Sequence, residues 1–414
     1  MNVSIQAFIP YLKWIDSQAS YLHHLVRAWS NINTFSYNTE GLATLLSTLK
    51  RDFLGLEGNM HLISLPPRQI IGAKGELREQ MLGQALRIKK RPHAPIQILL
   101  AGHMDTVYPP SSPFQIVREK DHQTWIGPGV TDMKGGLAIL LVTLAALERS
   151  PYADQIGWEV LINPDEEIGS PGSAYLFEEA ARRNHIGLIF EPSFPDGAFV
   201  SSRKGSATYS ITVKGRSAHV GRNFSEGRHA IYALSQFIQK VELLNKPDEG
   251  VIVNVGYVEG GGPVNIVPDF AACRLNMRTS NADDILFLQR TLQDIASLCQ
   301  QKEGIQLSII NETERMPKPL TQNLQVLFEL YADCAHDLHI PFQLRETGGV
   351  CDGNITSGAG LPTMDSIGAV GGCIHTHEEY LFLPSLVERT KLASLFLFKL
   401  ATKELIIQRE PHHG

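Results

Sequence analysis

Cysteine is scarce in this 414-residue chain. The five cysteines, Cys273, Cys299, Cys334, Cys351 and Cys373, are scattered and show no CxxC spacing. That excludes a disulfide scaffold, argues against cysteine-ligated zinc, and fits thiols in a reducing compartment, the cytoplasm. Positive charge is not in excess either: 37 Lys and Arg face 43 Asp and Glu, a net charge of -6. A nucleic-acid partner would want a basic face, and a polybasic membrane contact is excluded on the same ground. Long apolar runs are missing. The longest, Gly136 to Leu147, is too short to span a bilayer and reads as a buried helix. The N-terminal stretch MNVSIQAFIPYLKWIDSQAS has no basic leader and no long apolar core, so it reads as a first helix and not as a signal peptide. Repeats and low-complexity segments are absent. What remains is an ordinary globular composition, 43% hydrophobic and 19% charged. Its length suits two to three domains, or one large domain with an insertion.

Three apolar runs read as buried strands: PIQILLAG (Pro95 to Gly102), IGWEVLIN (Ile156 to Asn163) and IGLIF (Ile186 to Phe190). Helical patterns over Lys134–Arg149 and Ala174–Arg183 lie between them. Strand, helix, strand predicts an α/β sheet with parallel neighbours. Near Ser202 the pattern changes. A half-buried strand, a helix, two strands, a second helix and a last strand follow, the order β-α-β-β-α-β. This predicts an inserted domain over 204–314, with 1–203 and 315–414 forming a discontinuous main domain. After the insertion, helices are expected over about Gln322–Leu338 and Pro384–Leu405.

Each predicted strand of the main domain ends in polar chemistry. The first ends in AGHMDTV with His103 and Asp105, the second in NPDEE with Glu166 and Glu167, the third in FEPS with Glu191. In open α/β sheets ligands bind at the carboxyl ends of strands, so these residues should share one edge. His103 and Asp105 are two apart on extended chain and point to the same side. Asp105 could then fix the tautomer of a metal-bound His103; alone, His103 also fits a buried, hydrogen-bonded strand end. GPGVTDMKGG supplies Asp132, which alone also fits a helix N-cap. HTHEEY supplies His375 and His377, either of which could reach a metal or belong to a solvated loop. Two histidines with three to four carboxylates make a mixed N/O site suited to zinc, cobalt or manganese. So many carboxylates favour two bridged metals, in such sites about 3.5–4 Å apart, activating a shared water. The stretch NPDEEIGSPGS, with acids at Asp165, Glu166 and Glu167, then makes sense: one glutamate ligates while its neighbour acts as general base and then acid.

GHMDTV, GVTDMKGG, DEEIGSPGS, FEPS, GRSAHVG and GGCIHT occur in order, and with them the chain resembles the zinc-dependent exopeptidase and deacylase family. That family includes glutamate carboxypeptidase, aminoacylase, acetylornithine deacetylase and succinyl-diaminopimelate desuccinylase, and the resemblance is nearest to the glutamate carboxypeptidase branch. It implies a mixed sheet flanked by helices, with the insertion as a lid and dimerisation domain. It implies two zinc ions, replaceable by cobalt or manganese. Asp132 would bridge them, with His103 and Glu191 on one ion and Glu167 and His375 on the other. Glu166 would be the general base and Asp105 the residue orienting His103. The bond after Asp132 would be a cis peptide. His219, in GRSAHVG, would reach the partner subunit's active site and steady the oxyanion. Asn265 and Arg278 would hold the substrate carboxylate or the oxyanion, and the SGAG turn with Ser357, Gly358 and Gly360 would form a substrate-carboxylate loop. Arg315 lies one residue off the spacing of a family substrate arginine, and His377 falls where relatives carry another residue; neither is assigned a role.

The expectation is thus a cytoplasmic homodimer that hydrolyses an amide bond in an N-acyl amino acid or short peptide with a free C-terminal carboxylate. An N-acyl amino acid deacylase and a noncatalytic binding protein on the same scaffold are the alternatives.

Overall fold

A computed structural model describes residues 4–71, 76–301 and 303–402. Short strands are named below by their ranges. Three helices open the chain: α1 (Ile9–Asp16), α2 (Ala19–Ser30) and α3 (Thr39–Phe53). The predicted single N-terminal helix is therefore broken, at Ser17 and Gln18. The main sheet contains β1 (Asn59–Ser64), β2 (Gln84–Lys90), β3 (Ile96–His103), β4 (Ile156–Asn163), β5 (Ile186–Ile189) and the short β10 (Thr363–Met364). Its order is β1-β2-β4-β3-β5-β10. Strands β4, β3, β5 and β10 run parallel, while β1 and β2 pair antiparallel on one edge.

Helix α4 (Lys134–Glu148) returns the chain from β3 to β4, and α5 (Ala174–Arg183) from β4 to β5. Nearly every residue of α4 is buried, as its apolar run requires. It packs between β3 and the last helix, α10 (Pro384–Thr402); the predicted continuation of that helix past residue 402 lies outside the described residues. A Cβ at Gly136 would stand 1.9 Å from the Phe190 carbonyl oxygen. Only glycine lets the start of α4 approach the end of β5 so closely. The approach brings Asp132, just before α4, beside Glu191, just after β5.

The second layer holds β6 (Gly205–Lys214), α6 (Ala230–Glu242), β7 (Ile252–Gly260), β8 (Phe270–Thr279), α7 (Ala282–Cys299) and β9 (Gln306–Arg315). Its sheet is antiparallel throughout, in the order β7-β8-β6-β9. Along β6 the side chains alternate between faces. Ala207, Tyr209, Ile211 and Val213 join a core with Phe237 of α6 and Leu292 of α7, separate from the core of the main layer. Ser206, Thr208, Ser210 and Thr212 take the opposite face. The chain crosses between layers at two adjacent points. There Arg203 and Lys318 exchange backbone hydrogen bonds of 2.9 and 3.0 Å, and both side chains reach the buried Asp365 carboxylate. Helices α8 (Gln322–Asp337) and α9 (Asp352–Gly358) lie in the main layer. Among the described residues no helix is long and apolar enough to cross a membrane.

Candidate active site

The carboxyl ends of β3, β4 and β5 converge with the turn before α4 and the loop before α10. His103 Nε2 lies 3.0 Å from Asp132 Oδ1 and 3.9 Å from Glu191 Oε1. On the other side of Asp132, His375 Nε2 lies 3.3 Å from Asp132 Oδ2 and 3.0 Å from Glu167 Oε2. Two groups of potential ligands result, His103–Asp132–Glu191 and Asp132–Glu167–His375, each with donor atoms within 4.8 Å of one another. Asp132 belongs to both. The Asp132–Met133 peptide is cis.

His103, Asp132 and Glu191 are buried, Glu167 is partly buried, and the His375 side chain is 52% exposed. Burial works against ionising Asp132, but hydrogen bonds from His103 and His375 outweigh it and hold its carboxyl below the usual range. Burial and the Asp132 charge push Glu167 up to about 8, and burial takes Glu191 well above the ordinary value. His375 is pushed up to about 11 by its bonds to Asp132 and Glu167. His103 is raised too, because Asp105 and Asp132 outweigh its burial. The donor set thus calls for added positive charge between its carboxylates, and imidazole with carboxylate is the chemistry that zinc, cobalt or manganese accepts.

The three consecutive acids have separate partners. Asp165 turns inward and accepts the backbone N–H groups of Gly172 (2.8 Å) and Ser173 (3.2 Å), so it shapes the turn, with burial pushing it up to about 6. Glu167 meets His375. Glu166 Oε1 accepts a 2.8 Å bond from Arg315 Nη1. Asp105 organises the same turn: its carboxylate accepts from Glu166 N (3.2 Å), Glu167 N (3.1 Å) and the Ser36 hydroxyl (2.7 Å). His103 Nδ1 sits 3.1 Å from the Asp105 carbonyl and 3.4 Å from its carboxylate. The nearer partner for Nδ1 is therefore the main chain of Asp105.

Two cavities meet here. One, of about 330 Å³, has Phe194, Val200, Val350 and Ile374 among its walls. The other, of about 540 Å³, opens between the two layers and gathers Arg68, Arg274, Arg278 and Arg315. Both are bounded by Glu166, Glu167 and His375. Arg278 donates to Asn276 Oδ1 (2.9 Å) and the Gly348 carbonyl (3.0 Å), and has no carboxylate partner among the described residues. Arg68 of the main layer reaches Glu312 of the second layer at 2.7 Å, and Arg274 holds the same carboxylate.

Residues 99–399 match the model of peptidase family M20/M25/M40. The chain belongs to this family. It is 26% identical over 313 residues to carboxypeptidase G2 of Pseudomonas sp. (strain RS-16), covering 73% of this chain and 74% of that protein. It is 28% identical over 238 residues to a probable succinyl-diaminopimelate desuccinylase of Staphylococcus aureus (strain Mu50 / ATCC 700699), covering 48% and 58%. Among solved structures, an M20 family metallo-carboxypeptidase from Sulfolobus solfataricus matches with a TM-score of 0.68 at 16% identity, over 92% of this chain and 99% of that one. A tripeptidase from Staphylococcus aureus subsp. aureus Mu50 matches with a TM-score of 0.68 at 20% identity, over 93% and 99%. The expected mixed α/β fold is shown, and the protein is an M20 hydrolase of the metallopeptidase type.

In this M20 chain several predicted residues stand apart from the ligand cluster. His219 and Asn265 are exposed neighbours on the second layer, joined by a 2.9 Å bond from Val220 N to the Asn265 carbonyl. They line neither cavity beside the ligands. The SGAG turn also lies apart from the ligand cluster. Ser357 and Gly358 end α9 and line a different cavity with Ser280 and Met316, and Gly360 follows in the turn. The wall beside the ligands comes instead from the segment before α9, with Thr347, Gly349, Val350 and Cys351. His377 stacks on Phe114 and meets Ser112 at 3.2 Å, outside both ligand groups. Two important residues were not assigned from sequence. Arg315 bonds Glu166, Ser170 (2.8 Å) and Asp352 (3.0 Å). Glu379, fully buried in HTHEEY, backs Asp132 and is pushed up to about 7, first by burial.

Proposed function

We propose that the protein is a two-metal amide hydrolase of the carboxypeptidase type. Its substrate is an N-acyl amino acid or short peptide with a free C-terminal carboxylate. The observation that carries this reading is the pair of ligand groups sharing Asp132, with Glu166 at the boundary of two cavities. His103, Asp132 and Glu191 would hold one zinc ion, and Asp132, Glu167 and His375 the other, with cobalt or manganese as substitutes. Such cations, when bound, polarise a scissile carbonyl and acidify water.

The chain's residues do the rest. Arg315 holds Glu166 through Oε1, and Glu166 takes a proton from the attacking water and delivers it to the leaving amine. Asp105 keeps Glu166, Glu167 and His103 in one arrangement. Arg278 receives the substrate carboxylate, since its guanidinium has a fork for that geometry and no ion-pair partner among the described residues. His219 serves the partner subunit, where a donor to the oxyanion is worth roughly 3–4 kcal/mol, and Asn265 holds the substrate carboxylate or the oxyanion. Exposed Tyr232, Tyr257, Val258 and Val264, with the edge strand β7, support a homodimer through the second layer. Cysteines standing as thiols support a reducing compartment, the cytoplasm. The desuccinylase relative sustains a deacylase reading as the alternative.

The test is a panel of N-acyl glutamates, dipeptides and N-acetyl amino acids, each with its α-carboxylate free or amidated. Cleavage confined to the free-carboxylate forms, with KM raised by Arg278→Ala, supports the reading. Equal cleavage of amidated forms overturns it.

A further inference from the structure

We propose that Glu379 is a positioning residue for both metal ions, acting through the main chain of Asp132 and the loop of His375. The proposal rests on the two-metal reading above. Glu379 belongs to neither ligand group and meets Asp132 only at its main-chain N–H. Its Oε1 accepts the N–H groups of Thr131 (2.9 Å) and Asp132 (3.0 Å). Its Oε2 accepts the N–H of Gly129 (2.9 Å) and the Tyr108 hydroxyl (2.8 Å). One side chain therefore gathers the whole turn that presents Asp132.

The same residue ties that turn to the other ligand-bearing segment. Its carbonyl accepts Gly127 N (3.1 Å), and Thr131 Oγ1 donates to the Tyr380 carbonyl (2.6 Å). Tyr108 OH also reaches the Thr376 carbonyl (2.8 Å), one residue after His375. Asp132 and His375 come from positions 243 residues apart, yet their Nε2–Oδ2 separation is 3.3 Å. Glu379, on the His375 segment, bonds the turn that carries Asp132. Because Asp132 belongs to both ligand groups, an error in its placement is felt by both ions.

Burying a carboxylate at 1% exposure is costly, and the donors gathered on its two oxygens offset that cost. A carboxylate accepts from four donors at once, as this turn demands, whereas an amide offers only one accepting oxygen.

The experiment is a Zn²⁺ titration of the metal-free 414-residue chain, in competition with a chromophoric chelator, for wild type, Glu379→Gln and Tyr108→Phe. Thermal melting of each metal-free chain confirms that the titrated protein is folded. Partners that orient metal ligands typically contribute about 10- to 100-fold in metal affinity. Glu379→Gln should weaken both Zn²⁺ steps by that amount, and Tyr108→Phe should weaken them severalfold in the same direction. A merely structural role would lower the melting temperature and leave the affinity of the folded protein unchanged. Wild-type affinity in folded Glu379→Gln overturns the proposal. If that variant does not fold, wild-type affinity in Tyr108→Phe overturns it. Failure of the wild-type chain to take up two ions defeats the two-metal reading itself, a distinguishable result.

Discussion

Replacing Arg315 by methionine removes a buried cation while nearly keeping its volume. The Arg315 side chain is 5% exposed and serves two carboxylates, Glu166 at 2.8 Å and Asp352 at 3.0 Å. Breaking a buried pair from one side costs about 3–5 kcal/mol, because a charge is left without compensation. The penalty should depend on pH. Burial already pushes Asp352 up to about 7, against the pull of Arg315 and with the push of Glu166. A carboxyl raised above its unfolded value gives stability that is complete below that unfolded value and is lost as pH rises through the folded one. Without Arg315 the folded value climbs further, so the loss deepens above neutrality. At about 1.4 kcal/mol per pKa unit, the penalty at about pH 8 should exceed that at about pH 5.5 by about 1–2 kcal/mol. Urea unfolding of both chains at the two pH values measures it. Turnover should fall as well with zinc still bound, since Glu166 is no longer held. A penalty under about 1 kcal/mol at both pH values would refute the reasoning.

Two further outcomes are expected. If His219 acts in the neighbouring subunit, mixing inactive Glu166→Gln with inactive His219→Ala chains should restore about a quarter of wild-type activity, since random two-fold pairing gives half mixed dimers with one complete site each; no recovery after verified exchange would place His219 elsewhere. Of the five thiols only Cys373 is exposed, and burial pushes Cys273 up to about 12. A thiol reagent should therefore label one residue in the native chain and five after denaturation, and early labelling of Cys273 would contradict the packing of the second layer.

The central strands were legible because burial on both faces writes a continuous apolar run, as in Ile156–Asn163. The β-α-β-β-α-β order was legible because strand alternation and helical periodicity differ. Boundaries were less so. Helix α6 starts at Ala230, where the His229 ring accepts from Tyr232 N and caps it, a boundary that helical periodicity does not mark. The polar residues at strand ends pointed to one sheet edge, and the structure gathers His103, Asp132, Glu167, Glu191 and His375 there. Glu379 and Arg315 escaped because their meaning lies in hydrogen bonds across 247 and 149 residues, which no local pattern carries. The SGAG turn lies away from the ligand cluster because helix α9 directs its opposite end, at Cys351, toward it.

The most direct test of the central claim is hydrolysis by the zinc-reconstituted chain, with and without chelator, with Glu166→Gln alongside and metal content measured. The account predicts chelator-sensitive cleavage of an N-acyl amino acid that is lost in Glu166→Gln while two zinc ions stay bound. Unchanged turnover in Glu166→Gln with both ions in place would contradict it.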